Sequence, residues 1–246
     1  MSLIKSLSFQ ESVRRQFSFK LKAYHNLIGS LLLFQIIALF FSVFGQSSSM
    51  INDYVTITND LYSGDIIITF TLLWIFTISF YVTNRASKKM MFSFITSKLS
   101  NHIANALFML CLCVLGAVSS VLLGVVMRVA VIFYYGVDKV SAYESLTISQ
   151  LFLTILVVFL YHVLLFSFGY VIGETIQLHR SFTFLIPLLL FGLLIFTINV
   201  FNEAYMFTFY MMESNLFIFI VKVVGSAVIF WLIAIQIGRR LEVRLS

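Results

Sequence analysis

Three side chains stand where long apolar stretches should carry none: Arg128, His162 and Lys222. An ionisable group in such a stretch is costly unless it pairs, faces water or moves a proton. His162 reads first as a buried, hydrogen-bonded imidazole and second as a proton relay. Arg128 and Lys222 read either as side chains that snorkel to headgroups or as charges lining a route that attracts a carboxylate. Cys111 and Cys113 are two apart in one run, on nearly opposite sides of a helix, and read as small hydrophobes rather than a disulfide or zinc pair. The patterns GxxxxGK[ST], HExxH, GxSxG and TVGYG are all absent. No P-loop, zinc-protease, nucleophile-elbow or potassium-filter chemistry is therefore expected, and no enzyme, metal centre or cofactor in this chain.

A second kind of chemistry is electrostatic. In "TNRASKKMMFSFITSKLSNH" (83–102), Arg85, Lys88, Lys89 and Lys98 come together with no acid among them. At about 100° per residue, Met91, Phe92, Ile95, Leu99 and Ile103 fall on one face and Lys89, Ser93, Thr96, Ser97 and Ser100 on the other. The segment reads as an amphipathic helix, either lying on acidic lipid or docking a partner.

These residues are set in a chain of 246 residues that is 61% hydrophobic and only 11% charged, against roughly 25% charged in soluble domains. Apolar runs over residues 26–44, 66–82, 103–135, 148–172, 182–201 and 216–237 are each long enough to cross a bilayer. No A-x-A-like site follows the first run, so it is expected to remain as a span rather than a cleaved leader. The expected fold is all-α: a polytopic membrane protein with six transmembrane helices in one domain.

Charge gives the direction. Of 16 Lys and Arg residues, 13 fall in the N-terminal segment, the loops after the second and fourth runs, and the C-terminus. The remaining loops hold Asp53, Asp60, Asp65, Asp138, Glu144, Glu203 and Glu213 with one base, Lys139. The positive-inside rule places both termini in the cytoplasm. Before the first run, Phe9, Val13, Phe17, Leu21 and Tyr24 line one face of a helix, interrupted by Lys20; Glu11, Arg14, Arg15, Ser18 and Lys22 line the other. Residues 1–25 are thus expected to lie flat on the inner leaflet. Gly116, Ser120 and Gly124 on the third run, and Gly169 and Gly173 on the fourth, have the spacing that lets helix backbones approach. Pro187 is expected to bend the fifth.

This layout resembles the ABC-2 type permease subunits of ATP-binding-cassette transporters. The resemblance lies in the flat basic segment before span one and the basic amphipathic helix between spans two and three. It extends to the short turn "GETIQLHR" (173–180) and the aromatic connection "NEAYMFTFYMMES" (202–214). It implies that residues 84–101 form a coupling helix docking a separate ATPase through Arg85, Lys88, Lys89, Phe92, Phe94, Ile95 and Lys98, with Glu174 and Arg180 in a second contact. It further implies two ATPase copies that bind ATP and Mg, and a second permease, identical or sister. The location would be the bacterial cytoplasmic membrane. Subunits this short resemble exporters of peptides, of the bacteriocin or phenol-soluble-modulin kind. No nucleic-acid partner is expected. The rival readings are a secondary transporter, with His162 as its one mid-span group, and a stand-alone membrane immunity or scaffold protein.

Overall fold

The computed structural model describes residues 8–43, 46–52, 55–61, 64–84, 98–136, 147–179, 181–201, 208–210 and 212–243. They are overwhelmingly helical: α1 (Phe9–Ala23), α2 (Asn26–Val43), α3 (Asp65–Thr83), α4 (Lys98–Tyr135), α5 (Ile148–Leu178), α6 (Phe182–Phe201) and α7 (Leu216–Val243). An antiparallel ribbon, β1 (Gln46–Asn52) with β2 (Val55–Leu61), stands between α2 and α3, pairing Gln46 with Leu61 and Asn52 with Val55.

Helix ends follow local chemistry. Ser8 Oγ accepts from the Glu11 amide (3.3 Å) at the start of α1. Thr147 and Gln150 form a reciprocal box at the start of α5, at 2.9 and 3.4 Å. Asn215 Oδ1 accepts from the amides of Phe217 and Ile218 to open α7. Gly136, at φ 91°, takes the left-handed conformation that closes α4, its amide bonding the Ile132 carbonyl at 3.1 Å.

Four helices are each long and apolar enough to cross a membrane: Asp65–Thr83, Leu99–Tyr135, Ile148–Leu178 and Leu216–Gly238. The α1–α2 pair makes a fifth candidate, bent by 51° at its break. The apolar part of α6 among the described residues, Phe182–Ile198, is shorter. These long apolar helices fit a multi-pass membrane protein. At about 1.5 Å per residue, the 38 residues of α4 reach roughly 57 Å and the 31 of α5 roughly 46 Å, well beyond a hydrocarbon core of about 30 Å.

The chain forms two compact units. One comprises Met1–Phe19, Phe76–Met109 and Val163–Ser246; the other comprises Lys20–Ile75 and Leu110–His162. Within the first, the α5 aromatics meet α7: Tyr170 stacks on Trp231 (centroids 4.5 Å, planes 25° apart), and Phe168 lies 5.7 Å from Phe230. Within the second, Ala38, Ile67, Met127 and Val131 form one apolar cluster and Ala117, Val121 and Val158 another. There the Trp74 indole donates to Ser30 Oγ (2.9 Å), and Gln35 Nε2 donates to Ser119 Oγ (2.7 Å).

Candidate functional site

The buried side of these helices is rich in polar groups. Ser12, Gln16 and Lys20 are buried on α1, while Phe9 and Leu21 are exposed. Val13 and Tyr24 of the expected apolar face are buried with these polar residues, so burial takes in part of that face and extends onto the polar positions beside it. The reason is a partner: Gln16 Nε2 donates to Ser100 Oγ (3.1 Å), and Ser12 Oγ lies 3.4 Å from the same atom. Ser100 is fully buried in the first turn of α4, whereas Leu99 beside it is 42% exposed. The two faces of this end of the basic segment are thus separated, with the leucine outward and the hydroxyl inward. In a lipid setting an outward leucine costs nothing, and a hydroxyl gains by turning inward to a partner.

Residues 98–101, the end of the expected coupling helix, open α4. Arg85, Lys88, Lys89, Phe92, Phe94, Ile95 and Arg180 lie outside the described residues, as does the Lys98 side chain. Glu174 was expected on a short cytoplasmic turn. It lies instead inside α5, which runs on to Leu178, and is fully buried. Helix continues because "GETIQL" holds no proline, and Gly173 packs against α3 rather than ending the helix. One turn away, the Tyr170 hydroxyl accepts from Asn105 Nδ2 (2.9 Å) and lies 2.9 Å from His102 Nδ1. The imidazole tautomer sets which of the two donates in the Tyr170–His102 contact, and the other ring nitrogen, Nε2, faces Gly238. Gly238 leaves room for that nitrogen: a Cβ there would come within 2.9 Å of it. Neither Tyr170 nor Asn105 was singled out in the sequence; a tyrosine or asparagine in an apolar helix carries no charge to flag it.

The small residues sit at close approaches. A Cβ on Gly169 would strike Ser79 Oγ, and one on Gly173 would strike Thr83 Oγ1. A Cβ on Gly116 would come 3.3 Å from both His162 Nε2 and Thr71 Cγ2. Gly124 meets the backbone of Gly64, whose Cβ position lies 3.2 Å from the Gly124 Cα. Ser120 is fully buried, its hydroxyl on the Ala117 carbonyl at 3.2 Å.

The three intramembrane ionisable groups part company. His162 is fully buried in the notch left by Gly116. Its Nδ1 donates to the Val158 carbonyl one turn back (2.6 Å), and Nε2 has no hydrogen-bond partner among the described residues. Lys222 is tied down: Nζ lies 2.6 Å from Glu213 Oε2, 3.2 Å from the Phe209 carbonyl and 4.3 Å from the Phe209 ring centroid. Arg128 lines a cavity with Asp65, Ser120, Gly124 and Thr154. No cluster of three or more His, Cys, Asp or Glu side chains suited to a metal occurs among the described residues. No family model, no curated protein and no solved structure matches the chain.

Proposed function

We propose that this chain is the membrane-spanning subunit of an ATP-driven exporter of the ABC-2 permease type. In this reading it crosses the bacterial cytoplasmic membrane six times with both termini inside, and it pairs with a second permease. A separate ATPase dimer supplies the ATP and Mg chemistry. The cargo is an amphipathic or hydrophobic molecule, most simply a peptide.

The observation that carries the reading is the tie at Ser100. The basic segment 85–98 ends two residues before a buried hydroxyl that holds both Ser12 and Gln16 of α1. A partner pressing on that segment would displace the start of α4 and the amphipathic α1 together. A basic helix that merely floated on lipid would need no such attachment. Two-state motion of packed elements is how ATPase closure would reach the spans.

The test is the double substitution Phe92→Asp, Ile95→Asp in the full chain. Membrane insertion should survive, while co-purification of a P-loop ATPase with the chain, and export, should both be lost. A doubly substituted chain that still retains a working ATPase would overturn the docking role and leave a lipid-surface helix.

A further inference from the structure

Within the unit formed by Lys20–Ile75 and Leu110–His162, α3, α4 and α5 meet along one seam, and His162 is fully buried in it. The Val158 carbonyl can only accept, so the neutral ring carries its proton on Nδ1, 2.6 Å away, and Nε2 presents a lone pair. That lone pair has no hydrogen-bond partner among the described residues. Hydroxyls nearby on the seam spend their protons on their own helices: Thr71 on the Ile67 carbonyl (2.8 Å) and Ser120 on the Ala117 carbonyl (3.2 Å). Thr71 turns its methyl toward the Gly116 notch in which Nε2 lies.

A cavity of about 70 Å³ opens further along the seam, with Asp65 of α3, Ser120 and Arg128 of α4 and Thr154 of α5 in its wall. One water needs about 15 Å³ of such space, so several fit. Ser120 is one turn from Gly116, about 6 Å, and Thr154 is about 12 Å along α5 from His162. Between cavity and ring lies an apolar plug, in which Ala117, Val121 and Val158 pack together with Ile68, Ile155 and Phe159 against them. Ile68 and Val121 also line the cavity, so the plug is its floor.

We propose that His162 is a proton-binding site, and that proton uptake opens this seam to water from the cavity. The Nε2 lone pair takes a proton from water, and no covalent bond in the protein breaks. The imidazolium then has a second N–H donor, aimed at the Gly116 α-carbon and the Thr71 methyl, with no acceptor in reach among the described residues. A buried cation and an unmatched donor are both costly, and water relieves both. Water reaches Nε2 when Val158 moves away from Ala117 and Val121. The charge on the ring and the packing of α5 on α4 are thereby coupled: the neutral ring favours the closed seam and the charged ring the open one. The other titratable groups along these helices are Asp65 and Arg128 at the cavity, Cys113 one turn from Gly116, and Tyr161 beside His162. Asp65 is about 9 Å along α3 from Thr71, and Arg128 about 18 Å along α4 from Gly116. The site needs no ATPase partner, so it stands or falls separately from the exporter reading.

The test uses the full chain in lipid nanodiscs, with Cys111 and Cys113 replaced by Ala. Spin labels are placed on cysteines at Val126 of α4 and Phe152 of α5, both exposed, and their separation is read by double electron–electron resonance. From about pH 8 to about pH 5, the range in which histidine changes charge, the distance should widen by about 2 Å, the size of a helix shift in a switching protein. His162→Gln holds no charge at either pH and should keep the short distance throughout, with His162→Asn taking its place if the glutamine variant fails to insert. Asp65→Asn should keep the full widening, which separates His162 from the acid at the cavity. A wild-type distance that is the same at both pH values would overturn the proposal. So would a widening that survives in His162→Gln, or one that is lost in Asp65→Asn.

Discussion

The Lys222 ammonium and the Glu213 carboxylate meet at 2.6 Å, across the turn that leads into α7. Both side chains are largely covered, at 25% and 17% exposure, and Glu213 also accepts from the Asn215 amide at 3.4 Å. The hydrogen bond from Lys222 holds the Glu213 carboxyl below its ordinary value of 4.5. The stabilisation is therefore complete above that ordinary value and fades as pH falls through the lower, folded one. Melting of the purified protein from about pH 6 to about pH 3 should show a loss that Glu213→Gln lacks. Parallel melting curves for the two proteins would mean the pair contributes nothing.

Gly169 and Gly173 on α5 face hydroxyls of α3. Alanine at either should cost about 1–3 kcal/mol, the usual cost of overpacking a filled interface. Gly192→Ala on α6, where nothing lies within 4 Å of the added methyl, is the control and should melt like wild type. Ser79→Ala should recover part of the Gly169→Ala loss, since Ser79 Oγ is the atom struck first. Equal melting temperatures for Gly169→Ala and Gly192→Ala would remove the close-contact assignment.

Burial of Lys20 on α1 lowers its ammonium from 10.5 to about 7. Between those values the unfolded chain holds a proton that the folded chain has released. Stability contributed at this site therefore rises with pH across that window, by at most about 1.4 kcal/mol per pH unit. The difference in stability between wild type and Lys20→Met should carry this slope from pH 7 upward. A difference that stays flat across the window would show that Lys20 reaches water.

Tyr170→Phe keeps the stack on Trp231 and removes the oxygen that Asn105 and His102 share. The loss should be about 1–3 kcal/mol, the cost of taking a buried hydrogen-bond acceptor away. Far-UV circular dichroism should be unchanged while the melting temperature falls. An unchanged melting temperature would demote the hydroxyl to a bystander.

The helical class and the apolar spans were legible because hydrocarbon demands long uncharged runs, and such runs survive any detail of packing. The glycine spacing on α4 and α5 was legible too, since only small residues let backbones meet. Burial at the helix ends was not. The amphipathic reading of α1 and of residues 91–103 separates an apolar face from a polar one but gives the polar side chains no partner, and Gln16 and Ser100 are buried while Leu21 and Leu99 are out. Where lipid is the outside solvent, polarity inverts, and the inward face is the one that can supply hydrogen-bond partners. Glu174 was misplaced because no residue in "GETIQL" announces whether a helix stops. The partner of Lys222 was one of two acids in the same connection, and only geometry separates Glu213 from Glu203.

The bonds from α1 to Ser100 join residues 84 and 88 positions apart. At roughly 5–20 residues per second of synthesis, α1 emerges at least ~4 s before the hydroxyl that will receive it. For that interval it must wait somewhere, and the exposed Phe9 and Leu21 give it a resting place on the bilayer surface. The early helix is thus a latecomer to its own docking site: translation order alone makes the membrane its first host and the protein its second.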